Sequence, residues 1–262
     1  MEQYNFYNVD PHIAEVYDQI EDDESDVYQI RHLIGSKSQL RILEPFCGTG
    51  RIAIPLAKDG HFLVGIDQAK AMLQCAALKI ANSGLASRIS LIEQNVTEGS
   101  WPRGFDLVIL GRNSLYELAT QEQQEKCFES ASLALKKGGH IYVDNNHMEG
   151  DLDQTWRDLK SVKTVLSGKC EDGTVVDGKM QTIWFDAPKR LVRLKRLFRI
   201  EDTNGKVVVH ELTQQKHPVS SDEIREWLIR YGFGTLKQFG EYIGNLYNTS
   251  SPRAIFWAYK IG

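Results

Sequence analysis

Apolar runs and mixed, helix-forming stretches alternate along the first half of the chain. "LRILEPF" is a short apolar run that ends in a glycine turn, and the "GRIAIPLAKDG" that follows reads as a helix closed by Gly60. The pattern then repeats. "HFLVGID" predicts a strand, "AKAMLQCAALKIANSG" a helix ending at Gly84, and "RISLIEQNV" and "FDLVILG" two further strands. "QEQQEKCFESASLALKKGG" predicts a helix with basic residues and glycine at its close, and "HIYVDNN" a fifth strand. Strands alternating with helices imply crossover connections and a parallel sheet. Runs such as "FLVGI" and "DLVIL" are apolar almost throughout, as parallel strands covered on both faces should be.

Two segments break this rhythm. Residues 1–38 predict an N-terminal helical cap, crowded with Tyr4, Tyr7 and Tyr17. An acidic run, "EDDESD", precedes Tyr28 and reads as a solvated helix start. In residues 151–217, "MQTIWFD", "RLVRLKRLFRIED" and "KVVVHELTQQKH" are strand-like, and "DTNGK" is a hairpin turn. This segment predicts an antiparallel insertion that serves as a lid or a dimer surface. The alternation in "RLVRLKRLFRI" gives one polar and one apolar face, the polar face being read as solvent-exposed. "SSDEIREWLIRYGF" opens a helix with Ser followed by an acid, close to a capping box. "TLKQFGEYIG" and "PRAIFWAYKIG" close the chain as a strand pair. The expected division is therefore a cap (1–38), a ligand-binding domain (39–150 and 218–262) and the insertion (151–217).

Composition narrows the class. With 42% hydrophobic and 25% charged residues the chain is an ordinary globular protein. A formal net charge of -4 argues against a broad basic face, so no nucleic-acid partner is expected. No apolar run approaches the ~20 residues of a membrane span. The opening residues lack the basic and apolar regions of a signal peptide. Cys47, Cys75, Cys127 and Cys170 form no C-x-x-C pair, which points to a reducing, cytoplasmic setting without a structural metal.

The chemistry gathers at the first glycine turn. Such a turn holds a nucleotide-like ligand. The P-loop pattern is absent, since no Lys-Ser/Thr pair follows Gly50 in the required arrangement. "GTGRIA" does satisfy the dinucleotide pattern, with Asp67 at roughly the right distance. Glu44 tips the balance. It sits at the strand tip, where a pyrophosphate would face a carboxylate with only Arg51 nearby. S-adenosylmethionine (SAM) instead carries an ammonium and a sulfonium, which a carboxylate attracts. Gly48 and Gly50 allow close backbone approach, and Asp67 can accept hydrogen bonds from both ribose hydroxyls.

"LEPFCGTGRIAIPLAKDGHFLVGIDQAKAML" resembles the first motif and second-strand acid of class I SAM-dependent methyltransferases. The likeness continues through "EQNV", "FDLVIL", "LALKKGGHIYVD" and the terminal "YGF…AIFWAYK". It implies an α/β fold with a doubly wound, seven-stranded, mostly parallel sheet and a reversed final hairpin. It implies SAM as cofactor, held by Tyr17, Glu44, Phe46, Gly48, Gly50, Arg51, Asp67, Gln68, Met72, Asn95, Val96, Leu110 and Gly111. Within that set Met72 is either an adenine contact or core, and Arg51 either holds a carboxylate or caps a surface. Asn95 stands where the family usually has an acid. Tyr17 and Tyr28 either cover the sulfonium or pack their helices.

The acceptor is less legible. "GRNSLYEL" replaces the [ND]-P-P-[FYW] motif of base-amine methylases, which disfavours nucleic acid. The placement of the insertion and of the N-terminal segment is similar to that of sugar-amine and glycine N-methyltransferase-like enzymes, which implies a small-molecule methyl acceptor. Arg112, Asn113, Ser114 and Tyr116 follow the fourth strand; Asn145, Asn146 and His147 follow the fifth. His147 is the candidate base, with Tyr116 and Asn113 beside it, unless it is merely a loop-face histidine. A homodimer through the insertion is a further expectation, as are the rivals of a nicotinamide-dependent oxidoreductase, a non-catalytic SAM-binding module and a protein-directed methyltransferase.

Overall fold

The computed structural model describes residues 10–146 and 154–262. Two short helices come first, α1 (Pro11–Ile20) and α2 (Ser25–Ile34). The central sheet follows, built from β1 (Arg41–Pro45), β2 (Phe62–Asp67), β3 (Ile89–Glu93), β4 (Phe105–Leu110) and β5 (Leu135–Asn146), with α3 (Ala53–Lys58), α4 (Lys70–Asn82) and α5 (Gln121–Ala134) between them. A one-turn helix, α6 (Gln154–Arg157), leads to four antiparallel strands, β6 (Val162–Lys169), β7 (Val175–Asp186), β8 (Leu191–Glu201) and β9 (Val207–Lys216). The chain closes with α7 (Ser221–Arg230), β10 (Phe233–Phe239) and β11 (Arg253–Lys260).

The main sheet has seven strands in the order β10-β11-β5-β4-β1-β2-β3. β1 to β5 pair in parallel, and β11 runs antiparallel to both β5 and β10. This is the doubly wound α/β sheet with a reversed final hairpin that the sequence predicts. Alternate side chains feed two cores. Val108 and Val143 pack with Phe128 of α5 and Trp227 of α7, while Ile42, Leu107, Ile109 and Tyr142 lie under α2 and α3. Trp227 is seated on Phe128 with ring centres 5.3 Å apart. The Ser220–Glu223 capping box is complete, Ser220 N–H donating to Glu223 at 2.7 Å and Glu223 N–H returning to Ser220 Oγ at 3.3 Å. Among the described residues no helix is long and apolar enough to cross a membrane.

Three expectations are corrected. The fifth helix stops at Ala134, because Leu135 turns extended (φ -76, ψ 145) and pairs with Phe105. The Lys136–Gly139 stretch is therefore an irregular start of β5, with Gly138 at φ +74, and not a helix end. The acidic run is not simply solvated. Asp26 is completely buried and forms a bidentate pair with Arg51, at 2.8 and 2.5 Å. The strand β6, which the sequence did not suggest, is largely exposed with only Leu166 buried, so no clean alternation marks it.

The inner face of β8 carries Val192, Leu194, Phe198 and Ile200, but Arg196 falls in the same row and is also buried. The outer row is solvent-facing, as expected, with Lys195 paired to Glu211 at 2.7 Å and Arg199 to Glu201 at 2.6 Å. Helix α1 fills the space between this second sheet and α4. Its Ile13 and Val16 pack with Leu166, Val176 and Phe198, and its Ala14 and Tyr17 pack with Ala69, Ala71 and Met72.

Candidate functional site

A cavity of about 430 Å³ opens at the carboxyl ends of β1 and β4, where the strand order reverses. Open α/β sheets bind ligands at that point. Its walls come from the glycine turn after β1, the end of β2, the loop after β4, helix α1 and the last turn of β9.

The glycine-turn end is locally encoded. Phe46 leaves β1 with φ +64, in the left-handed region that a bulky residue rarely adopts. Gly48 (φ +53) donates its N–H to Asp67 Oδ2 at 2.9 Å, and Ala69 N–H reaches Asp67 Oδ1 at 2.8 Å. Each oxygen of that carboxylate keeps a second lone pair for a hydroxyl. Burial raises the Asp67 carboxyl above its ordinary value, with the backbone donors opposing. A Cβ on Gly48 would touch the Met72 methyl at 3.4 Å, so glycine keeps this wall open. Glu44 is the unusual group. It is buried, its Oε2 has no hydrogen-bond partner, and burial pushes its carboxyl up to about 8 despite the Arg51 charge. An orphaned buried carboxyl oxygen facing a cavity fits the ammonium and sulfonium of SAM and repels a pyrophosphate.

The loop after β4 is clamped to the end of β5. Arg112 (φ +46) and Asn113 (φ +61) adopt left-handed backbone. Arg112 N–H donates to Asp144 Oδ2 at 3.2 Å, Asn113 N–H to Asp144 O at 2.8 Å, and Asn146 N–H to Asn113 Oδ1 at 2.6 Å. Asp144 is fully buried and also takes Arg253 Nε at 2.8 Å and the Tyr242 hydroxyl at 2.9 Å. The Tyr116 hydroxyl donates to Asn146 O at 3.0 Å, and its ring meets Trp156 edge-on at 6.2 Å.

The insertion end is assembled from distant positions. Lys216 Nζ donates to Glu117 Oε1 at 2.8 Å, Gln214 Nε2 to Glu117 Oε2 at 3.1 Å, and Arg196 Nε to Gln214 Oε1 at 3.2 Å. Burial disfavours the charge on Glu117, but Lys216 and Arg196 overcome it and hold the carboxyl at about 2. Burial draws the Lys216 ammonium below its ordinary value, with Glu117 opposing.

The expected residues fare unevenly. Tyr17, Glu44, Phe46, Gly48, Arg51, Asp67, Gln68, Met72, Val96 and Gly111 line the cavity, as do Asn113 and Tyr116. Gly50 stands behind the lining. It holds the turn at φ +80, and a Cβ there would press on Ile54 at 3.2 Å. Leu110 is fully buried in the core and is not a wall residue. Asn95 is also outside the wall. Its Oδ1 accepts from Thr97 N–H at 3.0 Å and its Nδ2 donates to Glu98 at 3.1 Å, so a local turn consumes the amide. Arg51 is committed to Asp26 and to the Asp23 carbonyl at 2.6 Å, which fastens α2 to the glycine turn. Met72 is both wall and core. Tyr28 is 66% exposed and lies near Arg31, at 5.8 Å, away from the cavity. His147 lies outside the described residues. Sequence reasoning missed Glu21, Glu117, Gln214, Lys216 and Arg253, all of which reach the cavity. The out-of-phase Arg196 and the polar close of "LTQQK" were the available signals.

Comparison with known proteins agrees with this geometry. Residues 36–215 match the family described as a methyltransferase domain. A protein of Geobacillus sp. (strain WCH70), provisionally named a methyltransferase, is 26% identical over 229 residues, covering 86% of this chain and 87% of its own. Among solved structures, a SAM-dependent methyltransferase from Clostridium acetobutylicum ATCC 824 superposes with a TM-score of 0.73 at 19% identity, covering 98% of this chain and 100% of that one. The sugar N-methyltransferase KedS8 from Streptoalloteichus sp. ATCC 53650 superposes with a TM-score of 0.72 at 15% identity, covering 94% and 91%. With SAM as its cofactor and not a nicotinamide dinucleotide, the chain belongs to the methyltransferase-domain family of class I SAM-dependent methyltransferases.

Proposed function

We propose that this methyltransferase acts on nitrogen or oxygen of a small-molecule acceptor in the cytoplasm. The observation that carries the reading is the size and closure of the site. The cavity measures about 430 Å³, and its far wall is made of insertion side chains, Gln214 and Lys216. That volume suits a cofactor and a small partner better than a polymer. The sugar N-methyltransferase fold neighbour supports the same class of acceptor.

SAM supplies an electrophilic methyl group on a sulfonium. The chain's own residues bind, orient and exclude water. In this reading Glu44 receives the ammonium and Asp67 the ribose hydroxyls. Gly48, Gly50, Gln68, Met72 and Val96 shape the nucleoside slot, and Phe46 and Gly111 its methionine side. The Tyr17 ring covers the site from α1, and burial keeps its phenol protonated. Tyr116 and Asn113 fix the acceptor loop through Asn146, and His147, next in sequence, takes the acceptor proton. In-line transfer then requires the nucleophile within about 3 Å of the methyl carbon.

The test is S-adenosylhomocysteine release across a panel of small amines, phenols and hydroxy compounds, run beside ribosomal RNA and protein substrates. Turnover on a small molecule supports the reading; turnover confined to RNA or protein overturns it. His147→Ala should lower turnover at least tenfold while leaving cofactor affinity within twofold. An unchanged pH profile would remove His147 as the base.

A further inference from the structure

Two segments meet at the insertion end of the cavity. The loop after β4 gives Ser114, Tyr116 and Glu117 to the wall, and the end of β9 gives Gln214 and Lys216. Glu117 ties the two, accepting from Lys216 Nζ at 2.8 Å and from Gln214 Nε2 at 3.1 Å. Gln215 Nε2 adds a bond to Ala119 O at 3.1 Å. A further tie lies behind the wall. Gln124, near the start of α5, is fully buried and does not line the cavity. Its Nε2 donates to Leu115 O at 2.9 Å and to His217 O at 2.8 Å. Leu115 stands between the wall residues Ser114 and Tyr116, and His217 directly follows Lys216. Two carbonyls on Nε2 fix which way the amide faces. Oε1 is therefore an acceptor, and His217 Nδ1, 2.7 Å away, carries the proton. The other nitrogen of that buried ring faces Glu223, the capping residue of α7, at 3.5 Å. An apolar side chain of the same volume would fill this space. The amide adds a fixed spacing between two backbone segments, because leaving either carbonyl unpartnered in the core costs the fold.

We propose that Gln124 is a positioning residue for methyl transfer. From behind the wall it sets the distance between the loop after β4 and the end of β9, and so the place where the acceptor meets the methyl group. His217 supports it by holding the amide oxygen. A displacement of about 1 Å can cost about a hundredfold in rate, so a bracket that touches no reactant still governs turnover. The cofactor end does not depend on it, since Asp67 is held by the N–H groups of Gly48 and Ala69. The inference rests on the small-molecule reading above, which gives this end of the cavity to the acceptor.

The test uses the full chain with Gln124→Met, which keeps the side-chain volume and removes all three bonds. Calorimetry should show S-adenosylhomocysteine affinity within twofold of the parent. In that complex, backbone hydrogen exchange should accelerate at least tenfold in residues 113–118 and 215–219 and stay unchanged in residues 44–50. On the small amine, phenol or hydroxy compound that the panel identifies, kcat should fall at least tenfold with the KM for SAM within twofold. His217→Leu should act in the same direction, and His217→Asn, whose amide donates to the same oxygen, should recover most of the loss. If Gln124→Met does not fold, His217→Leu, which removes one bond of the three, carries the same measurements. Exchange that rises equally at the glycine turn, or weakened S-adenosylhomocysteine binding, would make Gln124 a fold residue only and overturn the proposal. Unchanged exchange in both segments, or an unchanged kcat, would overturn it as well. Turnover confined to RNA or protein would instead strike the reading beneath it, and the exchange pattern would still decide whether the bracket exists.

Discussion

At the glycine-turn end Glu44 keeps a buried carboxyl oxygen without a partner, and Asp67 is held by backbone N–H groups. At the insertion end Glu117 is tied to Lys216 and Gln214 and its carboxyl is held at about 2. The same side-chain chemistry thus has opposite standing at the two ends. A buried acid with one oxygen left unpartnered costs the fold stability and suits a cationic ligand that comes and goes. An acid held by the Lys216 ammonium and the Gln214 amide is part of the architecture.

The largest test of this contrast is the pair that fixes the glycine-turn end to α2. Asp26→Ala strands the buried Arg51, and loss of one partner of such a pair costs about 3–5 kcal/mol. Urea unfolding should show it; a loss below about 1 kcal/mol would mean that charge does not hold α2 in place. Next comes Glu44→Gln, expected to weaken SAM by about 1.5–3 kcal/mol through loss of a charged hydrogen bond. Its pH signature is specific. In the free protein the Glu44 carboxyl lies up near 8. Its raised value contributes stability below the ordinary carboxyl range, and that contribution fades as pH rises through about 8. Because the ammonium of SAM needs the ionised form, affinity should climb by up to about tenfold per pH unit toward 8, with a proton released on binding. Calorimetry in buffers of different ionisation enthalpy measures that proton, and Glu44→Gln should abolish it. Asp67→Ala should weaken SAM by about 1–3 kcal/mol; unchanged affinity would remove the ribose role. The smallest effect belongs to the outer row of β8. Lys195→Ala breaks only the exposed pair with Glu211 and should change stability by no more than about 0.5 kcal/mol, although Lys195 is next in sequence to the buried Arg196.

The two ends also differ in how far they could be foreseen. The glycine-turn end lies within a continuous stretch from Arg41 to Met72, where strand, turn and helix follow one another and local pattern suffices. The insertion end needs Gln214 beside Arg196, which the register of β8 on β9 supplies with Leu194 opposite Gln214, and Glu117 beside Lys216, which only the docking of the end of β9 against the loop after β4 supplies. Alternation in β8 was visible, and Arg196 standing in its apolar row was the local signal, but its partner Gln214 lies on another strand. Local chemistry overrode family position at Asn95, whose amide is spent on its own turn. The acidic run misled because solvation is the usual fate of such residues, and nothing near Asp26 in sequence announces Arg51. The double glycine after α5 looked like a helix stop, but a Cβ on Gly139 would lie 3.1 Å from the Phe105 carbonyl, so strand contact requires it.

Helix α1 touches both bodies at once, Ile13 and Val16 on the second sheet and Ala14 and Tyr17 on α4. The two apolar seams share one rigid rod ten residues long. Any outward swing of the antiparallel strands would therefore drag Tyr17 from the cavity wall or shear one seam open. In that sense α1 gears the second sheet to the wall of the cavity.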